Sequence, residues 1–332
     1  MQLTGVAFHQ VLLGALASLA VLGVSTSRTA AQGYPSRPIK LIVPLATGGP
    51  ADTAARVFAV ELGNSIGHNV IVENRAGASG VVGTEAVIKS TADGYSLLFG
   101  SSSVFAVNPA VMPNLRFDVR RDLKLIGLVA QTEHLLAVRP EIGAKTLAEL
   151  VTIAKAQPGR LSYASTGAGG IAHLASELFT FETGTKMLHI PFRGGGPAVV
   201  GVLSADAHLL INDISTTLTH IKSGKLIALA LASPKRSPQL PDVATFIELG
   251  YPGIESRSWY GLAAPAGTPA DAVTRLEKAT AAIAAAPDFQ AGLAKAGLQP
   301  LVMTPAETVA FIEHDLDKWS RVAKSANIQL DN

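Results

Sequence analysis

The sequence predicts an α/β fold in two domains that face each other across a cleft. Short β-branched runs alternate with longer helical stretches along the chain. This alternation predicts right-handed crossovers and largely parallel sheets covered by helices on both faces. The 332 residues are enough for two domains. Three of the strands lead through glycines directly into helices, and such helix N-termini suit anions.

The predicted elements follow one another in a regular order. Apolar runs predict strands at residues 39–43, 70–73, 95–99, 124–129, 135–138, 161–164, 187–191, 209–211, 227–230 and 261–264. Helices are predicted at residues 51–62, 80–90, 147–156, 173–183, 198–203, 270–285 and 305–324. Thr268 is predicted to cap the helix that follows it, and Thr304 with Glu307 is predicted to form a capping box.

Connectors rich in glycine and proline divide the chain. They lie at residues 139–144 and 250–267 and are predicted to bound a central domain. The first domain is therefore predicted to be discontinuous, with residues 32–134 and 255–332. The second domain is predicted to hold residues 135–254.

The N-terminal stretch has the pattern of an exported protein. Residues 11–24 (VLLGALASLAVLGV) are apolar but shorter than the roughly 20 residues of a membrane span. Small residues follow them, which predicts a signal peptide at residues 1–31, cleavage near Ala31 and a periplasmic location. Because the stretch before residue 11 has no Lys or Arg, an N-terminal membrane anchor is the alternative.

Composition and missing motifs exclude several classes of function. The net charge is only +2 and the chain has no basic stripe, which argues against nucleic-acid binding. There is no cysteine, so disulfides and thiol catalysis are excluded. The sequence has no P-loop, no G-x-S-x-G and no H-E-x-x-H. His173 and Glu177 share a helix face without an apparent third ligand, so no metal and no cofactor are predicted.

Three glycine turns carry the functional prediction. They are VPLATGGPADTAAR at residues 43–56, LSYASTGAGGIAHLASEL at 161–178 and HIPFRGGGPAVVGVL at 189–203. Each turn leaves backbone N–H groups unshielded at the positive end of a helix, an arrangement that suits a carboxylate or a phosphate. Because the turns are divided between the predicted domains, we expect their helix N-termini to face one cleft.

Other polar residues are predicted at the same sheet edges. Ser101 and Ser102 follow a strand at the carboxyl edge, where open α/β sheets bind ligands. Asp213 follows another strand and is predicted either to accept a ligand hydroxyl or amine or to cap the next helix. Asp52 is predicted either to contact the ligand or only to stabilise the helix end. His173 is predicted either to contact the ligand or to be buried and hydrogen-bonded in a structural role. Trp259 and Tyr260 are predicted either to wall the cleft or to pack in the core.

One enzymatic alternative rests on the second turn. Gly167-x-Gly169-x-x-Ala172 imitates the dinucleotide fingerprint. The next strand ends in Phe192-Arg193, with no acidic residue to hold a ribose. An NADP-linked oxidoreductase that uses Arg193 is therefore the alternative to a protein that binds without catalysis.

The motifs together resemble those of a known family. They are YPSRPIKLIVPLATGGPADTAAR, VIVENRAGASGVVGTEAV, ADGYSLLFG, Asn108-Pro109, YASTGAGGIAHLASELF, FRGGGPA and WYGLAAPAGTP, in this order. From about Tyr34 to the C-terminus the chain resembles the periplasmic substrate-binding proteins of tripartite tricarboxylate transporters, of the Bug or TctC type.

The resemblance implies a fold, a ligand class and a partner. The fold is the type II periplasmic-binding-protein fold, two α/β domains with a central cleft (a Venus flytrap), and the protein is not an enzyme. The ligand is a small carboxylate, often a dicarboxylate or an amino acid, and the partners are the membrane permease subunits, with the receptor acting as a monomer. A receptor that serves a sensor instead of a permease is a further alternative.

The predicted ligand-binding residues come from the turns and the sheet edges. They are Leu45, Ala46, Thr47, Gly48, Gly49, Asp52, Ser101, Ser102, Ser165, Thr166, Gly169, Gly170, His173, Arg193, Gly194 and Asp213. The family's first turn commonly reads Pro-Phe-x-Pro-Gly-Gly, whereas this chain has Leu45 and Thr47 at the phenylalanine and second proline positions. We therefore expect residues 45–47 to select the ligand.

Overall fold

The structure is a computed structural model that describes residues 33–330. The predicted signal peptide and its cleavage near Ala31 lie outside these residues. Within residues 33–330, no helix has both the length and the apolar character to cross a bilayer.

The strands and helices alternate as the sequence predicts. The strands are β1 Ile39–Val43, β2 Val70–Asn74, β3 Ser96–Ser101, β4 Leu123–Val138, β5 Ser162–Ser165, β6 Leu188–Pro191, β7 Leu209–Asp213, β8 Ile227–Leu231, β9 Arg257–Pro265 and β10 Gln299–Pro300. The helices are α1 Pro50–Ile66, α2 Val81–Ile88, α3 Asn108–Val111, α4 Val119–Asp122, α5 Leu147–Ala156, α6 Ile171–Thr183, α7 Gly195–Leu203, α8 Ile214–Lys222, α9 Ala270–Ala285, α10 Pro287–Lys295 and α11 Pro305–Ser325.

Two groups of strands share one long strand, β4. Its first part pairs with β9 and β10, and β9 continues the pairing through β3 and β1 to β2. Its last part, from His134, pairs with β7 and β8, and β7 continues through β5 to β6. The fold therefore has two α/β halves joined through one continuous strand. The domain boundary predicted between residues 134 and 135 stays a prediction. It lies close to the point at which β4 changes its pairing partner from β9 to β7.

The sheets are mixed, which corrects the prediction of largely parallel pairing. The pairs β1–β2, β1–β3, β5–β6 and β5–β7 are parallel. The pairs that involve β4 or β9 are antiparallel. The two strands predicted at residues 124–129 and 135–138 are one strand, because residues 130–134 stay extended. Residues 130–133 pair with β9, after two register shifts between residues 125 and 130, and His134 begins the pairing with β7.

The parallel strands orient the functional loops. In each half the connections run from the carboxyl end of a strand into the N-terminus of a helix, as in β1 to α1, β6 to α7 and β7 to α8. Open α/β sheets bind ligands in the crevice outside these carboxyl ends. Because both halves direct these ends to the same side, the loops meet across a cleft.

The core extends from one half into the other. Its largest cluster includes Leu98 from β3, Leu136 from β4 and Trp259 from β9, all fully buried. Trp319 of α11 belongs to the same cluster, and the indole N–H of Trp259 donates to Asp315 of α11 at 2.8 Å. The C-terminal helix therefore packs on the strands that connect the halves.

Three local predictions need correction. Thr268 does not cap α9, because the residue before the helix is Pro269. The fixed φ of proline suits this position just outside the helix. The buried hydroxyl of Thr268 has no partner among the described residues. Ser101 does not follow the strand but ends it, because β3 includes Ser101, and a π-helical turn begins at Ser103. Helix α10 was not predicted; it begins at Pro287 directly after α9.

The capping box at α11 is confirmed. The backbone N–H of Glu307 donates to the Thr304 hydroxyl at 3.3 Å, and the Glu307 carboxylate accepts from the Thr304 N–H at 2.8 Å.

We expect Thr304→Ala to lower the free energy of unfolding by about 1 kcal/mol in urea denaturation, because an N-terminal N–H loses its acceptor. Thr219→Ala, at an exposed position within α8, is the matched control and should not destabilise. An equal effect of both variants would contradict this account.

Candidate functional site

A cavity of about 460 Å³ lies between the two halves. The first half contributes the loop before α1 and the end of β3, and the second contributes the N-termini of α6, α7 and α8. Its lining residues are Leu45, Ala46, Thr47, Gly48, Gly49, Pro50, Ala51, Ser101, Ser102, Ser103, His134, Thr166, Ile171, Ala172, Arg193, Gly194, Gly195, Gly196, Pro197, Asn212, Asp213, Ser258 and Tyr260. The three glycine turns thus meet at one cavity.

A buried carboxylate holds the loop before α1 in place. Asp52 Oδ2 accepts from the backbone N–H of Gly48 at 2.9 Å and from Arg56 Nε at 3.1 Å. Arg56 also donates to the Asn74 side chain, whose amide donates to the carbonyl of Leu45 at 3.2 Å. Although burial raises the pKa of Asp52, these hydrogen bonds outweigh it and the pKa is lowered overall. Asp52 therefore positions this loop and does not line the cavity.

The Gly48 N–H group is not available to a ligand. It donates to Asp52, and the left-handed backbone at Gly48 (φ +83°), which favours glycine, directs it there. The open donors are at the first turn of α1, where Ala51 and Asp52 have N–H groups with no intrahelical acceptor. Of the two glycines predicted to hold the ligand in this turn, Gly48 therefore has its N–H group engaged within the protein, and the role of the turn in binding stays a prediction.

The helix N-termini at the cavity have no side-chain caps. This holds for α1, α6, α7 and α8, whose cap residues are Gly49, Gly170, Gly194 and Asp213. In contrast, α5 and α11 carry complete capping boxes, and their N-termini are not among the lining residues. The uncapped N-termini give the cavity backbone donors and a positive partial charge.

Arg193 is a cation without a partner at the cavity rim. It is exposed, lines the cavity and makes no hydrogen bond, ion pair or ring contact within residues 33–330. It directly precedes Gly194, which caps α7, and the N–H groups of Gly195 and Gly196 in the first turn of that helix have no intrahelical acceptor. This combination favours an anionic ligand, and a guanidinium pairs well with the planar geometry of a carboxylate.

The strands that connect the halves form the floor. His134 of β4 is fully buried, and its ring nitrogens lie 2.8 Å from Ser256 Oγ and 3.0 Å from Ser258 Oγ. Asp213 Oδ1 lies 3.2 Å from His134 Nε2. Burial raises the pKa of Tyr260 well above its usual value, and the neighbouring Asp213 charge adds to this. The floor is therefore polar, although it lies at the centre of the fold.

Four buried polar atoms at the cavity have no hydrogen-bond partner within residues 33–330. They are the hydroxyls of Ser101 and Ser102, the amide oxygen of Asn212 and the Oδ1 atom of Asp213. The four residues are at most 7% exposed. Because each unpaired buried polar group costs about 1–3 kcal/mol, their concentration in one cavity indicates a candidate ligand site.

Eleven of the sixteen predicted site residues line the cavity. They are Leu45, Ala46, Thr47, Gly48, Gly49, Ser101, Ser102, Thr166, Arg193, Gly194 and Asp213. Asp52, Ser165, Gly169, Gly170 and His173 do not. Of the two predicted aromatics, Tyr260 lines the cavity, whereas Trp259 is in the core.

The turn before α6 is held by its own side chains. The N–H of Gly167 donates to Ser165 Oγ at 3.2 Å and that of Gly169 donates to His173 Nδ1 at 3.0 Å, while Gly170 N–H donates to the carbonyl of Gly167. The imidazole of His173 stacks on that of His189, with ring centroids 3.7 Å apart. His173 therefore stabilises the turn from behind the cavity.

The two stacked histidines make the fold sensitive to acid. Burial and the neighbouring His189 lower the pKa of His173 to about 3, and burial lowers that of His189 to about 4. The unfolded chain, with histidine pKa values near 6.5, binds more protons below that pH, so stability falls as the pH drops from 6.5 towards 4. We expect His173 alone to remove about 2 kcal/mol of unfolding free energy between pH 7 and pH 5 in urea denaturation.

A variant pair tests the assignment of this pH dependence. His189→Gln should reduce the loss between pH 7 and pH 5, because it removes one of the two depressed titrations and the charge beside His173. His314→Gln, at an exposed position of α11, should leave the loss unchanged. Equal pH dependence in wild type and His189→Gln would contradict the account.

Three residues of the floor, His134, Asn212 and Ser258, were not predicted as site residues. His134 is one of several scattered histidines in the sequence, and Ser258 precedes the aromatic pair at residues 259–260. Asn212, at the end of β7, reads as part of an apolar strand. Only the pairing of β4 with β7 and β9 brings these side chains to one place, and no single-sequence pattern reports that pairing. Within the described part of the chain, no cluster of three metal-ligating side chains occurs.

Comparison with known proteins agrees with this architecture. Residues 54–328 match the family described as "Tripartite tricarboxylate transporter family receptor". The chain belongs to this receptor family. The receptor is 37% identical over 319 residues to Protein BugT of Bordetella pertussis, covering 94% of this chain and 98% of that protein.

Two solved structures of relatives contain carboxylates according to their descriptions. The R. palustris protein Rpa4515 with adipate is 30% identical to this receptor, with a TM-score of 0.83 over 90% of this chain and 100% of that one. MatC (Rpa3494) from Rhodopseudomonas palustris with bound malate is 27% identical, with a TM-score of 0.78 over 87% and 99% of the two chains.

Family membership settles two of the predictions. The receptor has the two-domain periplasmic-binding fold of the Bug type, and it is not an enzyme. The oxidoreductase alternative is therefore not supported. The structure agrees with this, because the N–H groups of Gly167, Gly169 and Gly170, which would face a pyrophosphate, donate within the protein.

Proposed function

We propose that the receptor captures a small carboxylate in the cleft and presents it to the permease subunits of a tripartite tricarboxylate transporter. The carboxylate lies between the N-terminus of α1 in one half and that of α7, with Arg193, in the other. The hydroxyls of Ser101, Ser102 and Thr166 complete the site, and the two halves close on the ligand as a hinge. We propose that capture takes place in the periplasm and that the receptor acts as a monomer, because the glycine turns of the two halves of one chain supply both walls of the cavity.

The unpaired Arg193 at a cavity with uncapped helix N-termini is the observation that carries this proposal. Donors and positive charge that lack a partner within the protein need an anion from outside it. The small volume of about 460 Å³ supports a small-molecule ligand. The descriptions of the relatives with adipate and malate support a carboxylate in particular.

Calorimetric titration of the purified receptor tests the proposal. Mono-, di- and tricarboxylates and acidic amino acids form the panel, with a neutral sugar and inorganic phosphate as controls. We expect saturable binding of at least one carboxylate and a raised melting temperature in its presence. Binding of the sugar or of phosphate with no binding of any carboxylate would overturn the ligand class.

A further inference from the structure

The two walls and the floor of the cavity differ in their charge. Arg193 and the N-termini of α1 and α7 make the walls electropositive. The floor instead contains the carboxylate of Asp213 at the end of β7, and its side chain is only 10% exposed. A uniformly anionic ligand satisfies the walls but places negative charge beside Asp213.

We propose that Asp213 selects carboxylates that also carry a hydrogen-bond donor, an ammonium or a hydroxyl group. This inference rests on the proposed function and names the ligand class more narrowly. In this arrangement the ligand carboxylate binds the walls, and its ammonium or hydroxyl donates to Asp213 Oδ1. Dicarboxylates without such a donor fit the walls equally well but leave Asp213 unpaired.

The environment of Asp213 supports an external donor. Its Oδ1 atom has no hydrogen bond, although His134 Nε2 is 3.2 Å away. The ring nitrogens of His134 already have the hydroxyls of Ser256 and Ser258 as partners, so the imidazole does not depend on Asp213. Among the described residues, no lysine or arginine lies within 4 Å of this carboxylate to pair with it.

The helix-capping alternative for Asp213 is not realised. Asp213 is the residue before α8, where an aspartate side chain commonly accepts an N–H of the first turn. Here its side chain makes no such hydrogen bond. Asp213 Oδ1 therefore keeps its acceptor capacity within residues 33–330. A ligand ammonium, with three N–H donors, would supply the donor that this oxygen lacks.

Matched ligands test the inference on the wild-type receptor. The three sets are succinate, malate and aspartate; glutarate, 2-hydroxyglutarate and glutamate; and adipate, 2-hydroxyadipate and 2-aminoadipate. Within each set the carbon chain is constant and only the donor changes. At the chain length that binds best, we expect the ammonium or hydroxyl ligand to bind at least about tenfold more tightly than the unsubstituted one, because buried acceptors without donors disfavour the latter.

A charge-removing variant assigns the selection to this residue. In Asp213→Asn we expect the preference for the ammonium ligand over the unsubstituted one to fall by about tenfold, since the amide has no charge to pair with it. The matched control is Asp206→Asn, at an exposed position of the same half outside the cavity, and it should retain the wild-type ratio.

The outcomes separate the inference from the proposed function. Unsubstituted dicarboxylates that bind as tightly as their substituted counterparts at every chain length would overturn the inference and leave carboxylate capture intact. The same ratio in wild type and Asp213→Asn would also overturn it. No binding of any of the nine ligands or of the wider carboxylate panel would overturn both. If Asp213→Asn does not fold, the wild-type ratios alone decide.

Discussion

Replacing Arg193 by glutamine should weaken carboxylate binding by about 10- to 100-fold without destabilising the free receptor. A hydrogen bond to a charged group contributes about 1.5–3 kcal/mol, and each 1.4 kcal/mol is a factor of ten in affinity. Because Arg193 has no partner within residues 33–330, its replacement breaks no contact in the free protein. Calorimetry with the best carboxylate of the panel measures the affinity, and thermal unfolding without ligand measures the stability.

Two further variants make the Arg193 test specific. Arg193→Lys keeps the charge but not the planar pair of donors, so we expect an intermediate affinity. Arg160→Gln removes an exposed arginine of the same half away from the cavity, and it should bind like wild type. Wild-type affinity in Arg193→Gln would show that the guanidinium takes no part in binding. A loss of stability equal to the loss of binding would show that its role is structural.

The sequence predicted the walls of the cavity much better than its floor. Residues 44–49 and 192–197 are local turns, and their glycines, their prolines at the start of a helix and their place after a strand are readable without knowing what they contact. Since the carboxyl ends of parallel strands share one sheet edge, these local patterns also predicted that the turns meet. Seven of the eleven predicted residues that line the cavity, namely residues 45–49, Arg193 and Gly194, lie in these two turns.

The floor depends on long-range pairing that local patterns do not contain. His134 and Ser258 are 124 residues apart, and they meet because β4 and β9 pair as antiparallel strands through the centre of the fold. The sequence of β4 is apolar enough to suggest only core packing. The two predicted strands leave out the polar residues between them, of which residues 131–133 pair with β9, whereas His134 pairs with β7 and lines the cavity.

The roles of the polar residues near the turns were also beyond the sequence. Asp52 and His173 stand at the same place relative to their glycines, in the first turn of a helix, and both turn back to accept an N–H of that loop. A side chain that accepts from its own loop and one that faces a ligand have the same local sequence. The neighbouring side chains decide between these two roles. Arg56 donates a hydrogen bond to Asp52, and the imidazole of His189 stacks on that of His173.

Removing the hydroxyls of Ser101 and Ser102 should stabilise the free receptor while weakening ligand binding. Both serines are at most 2% exposed, and neither hydroxyl has a hydrogen-bond partner among the residues that the structure describes. Because an unpaired buried hydroxyl costs about 1–3 kcal/mol, Ser101→Ala/Ser102→Ala should raise the free energy of unfolding by about 2 kcal/mol in urea denaturation. The same change should lower carboxylate affinity by about 10- to 100-fold, since two ligand hydrogen bonds are lost.

The opposite signs of these two effects distinguish a ligand site from ordinary packing. Ser162, a buried serine of β5, has a partner at 2.8 Å in His208 Nδ1, so Ser162→Ala should lower stability and leave affinity unchanged. The polar groups of a ligand site stay unpaired when the protein folds. They therefore lower the stability of the free protein until a ligand binds. Loss of both stability and affinity in the double variant would mean that the two hydroxyls are satisfied in the free protein. Loss of neither would place the ligand elsewhere in the cleft.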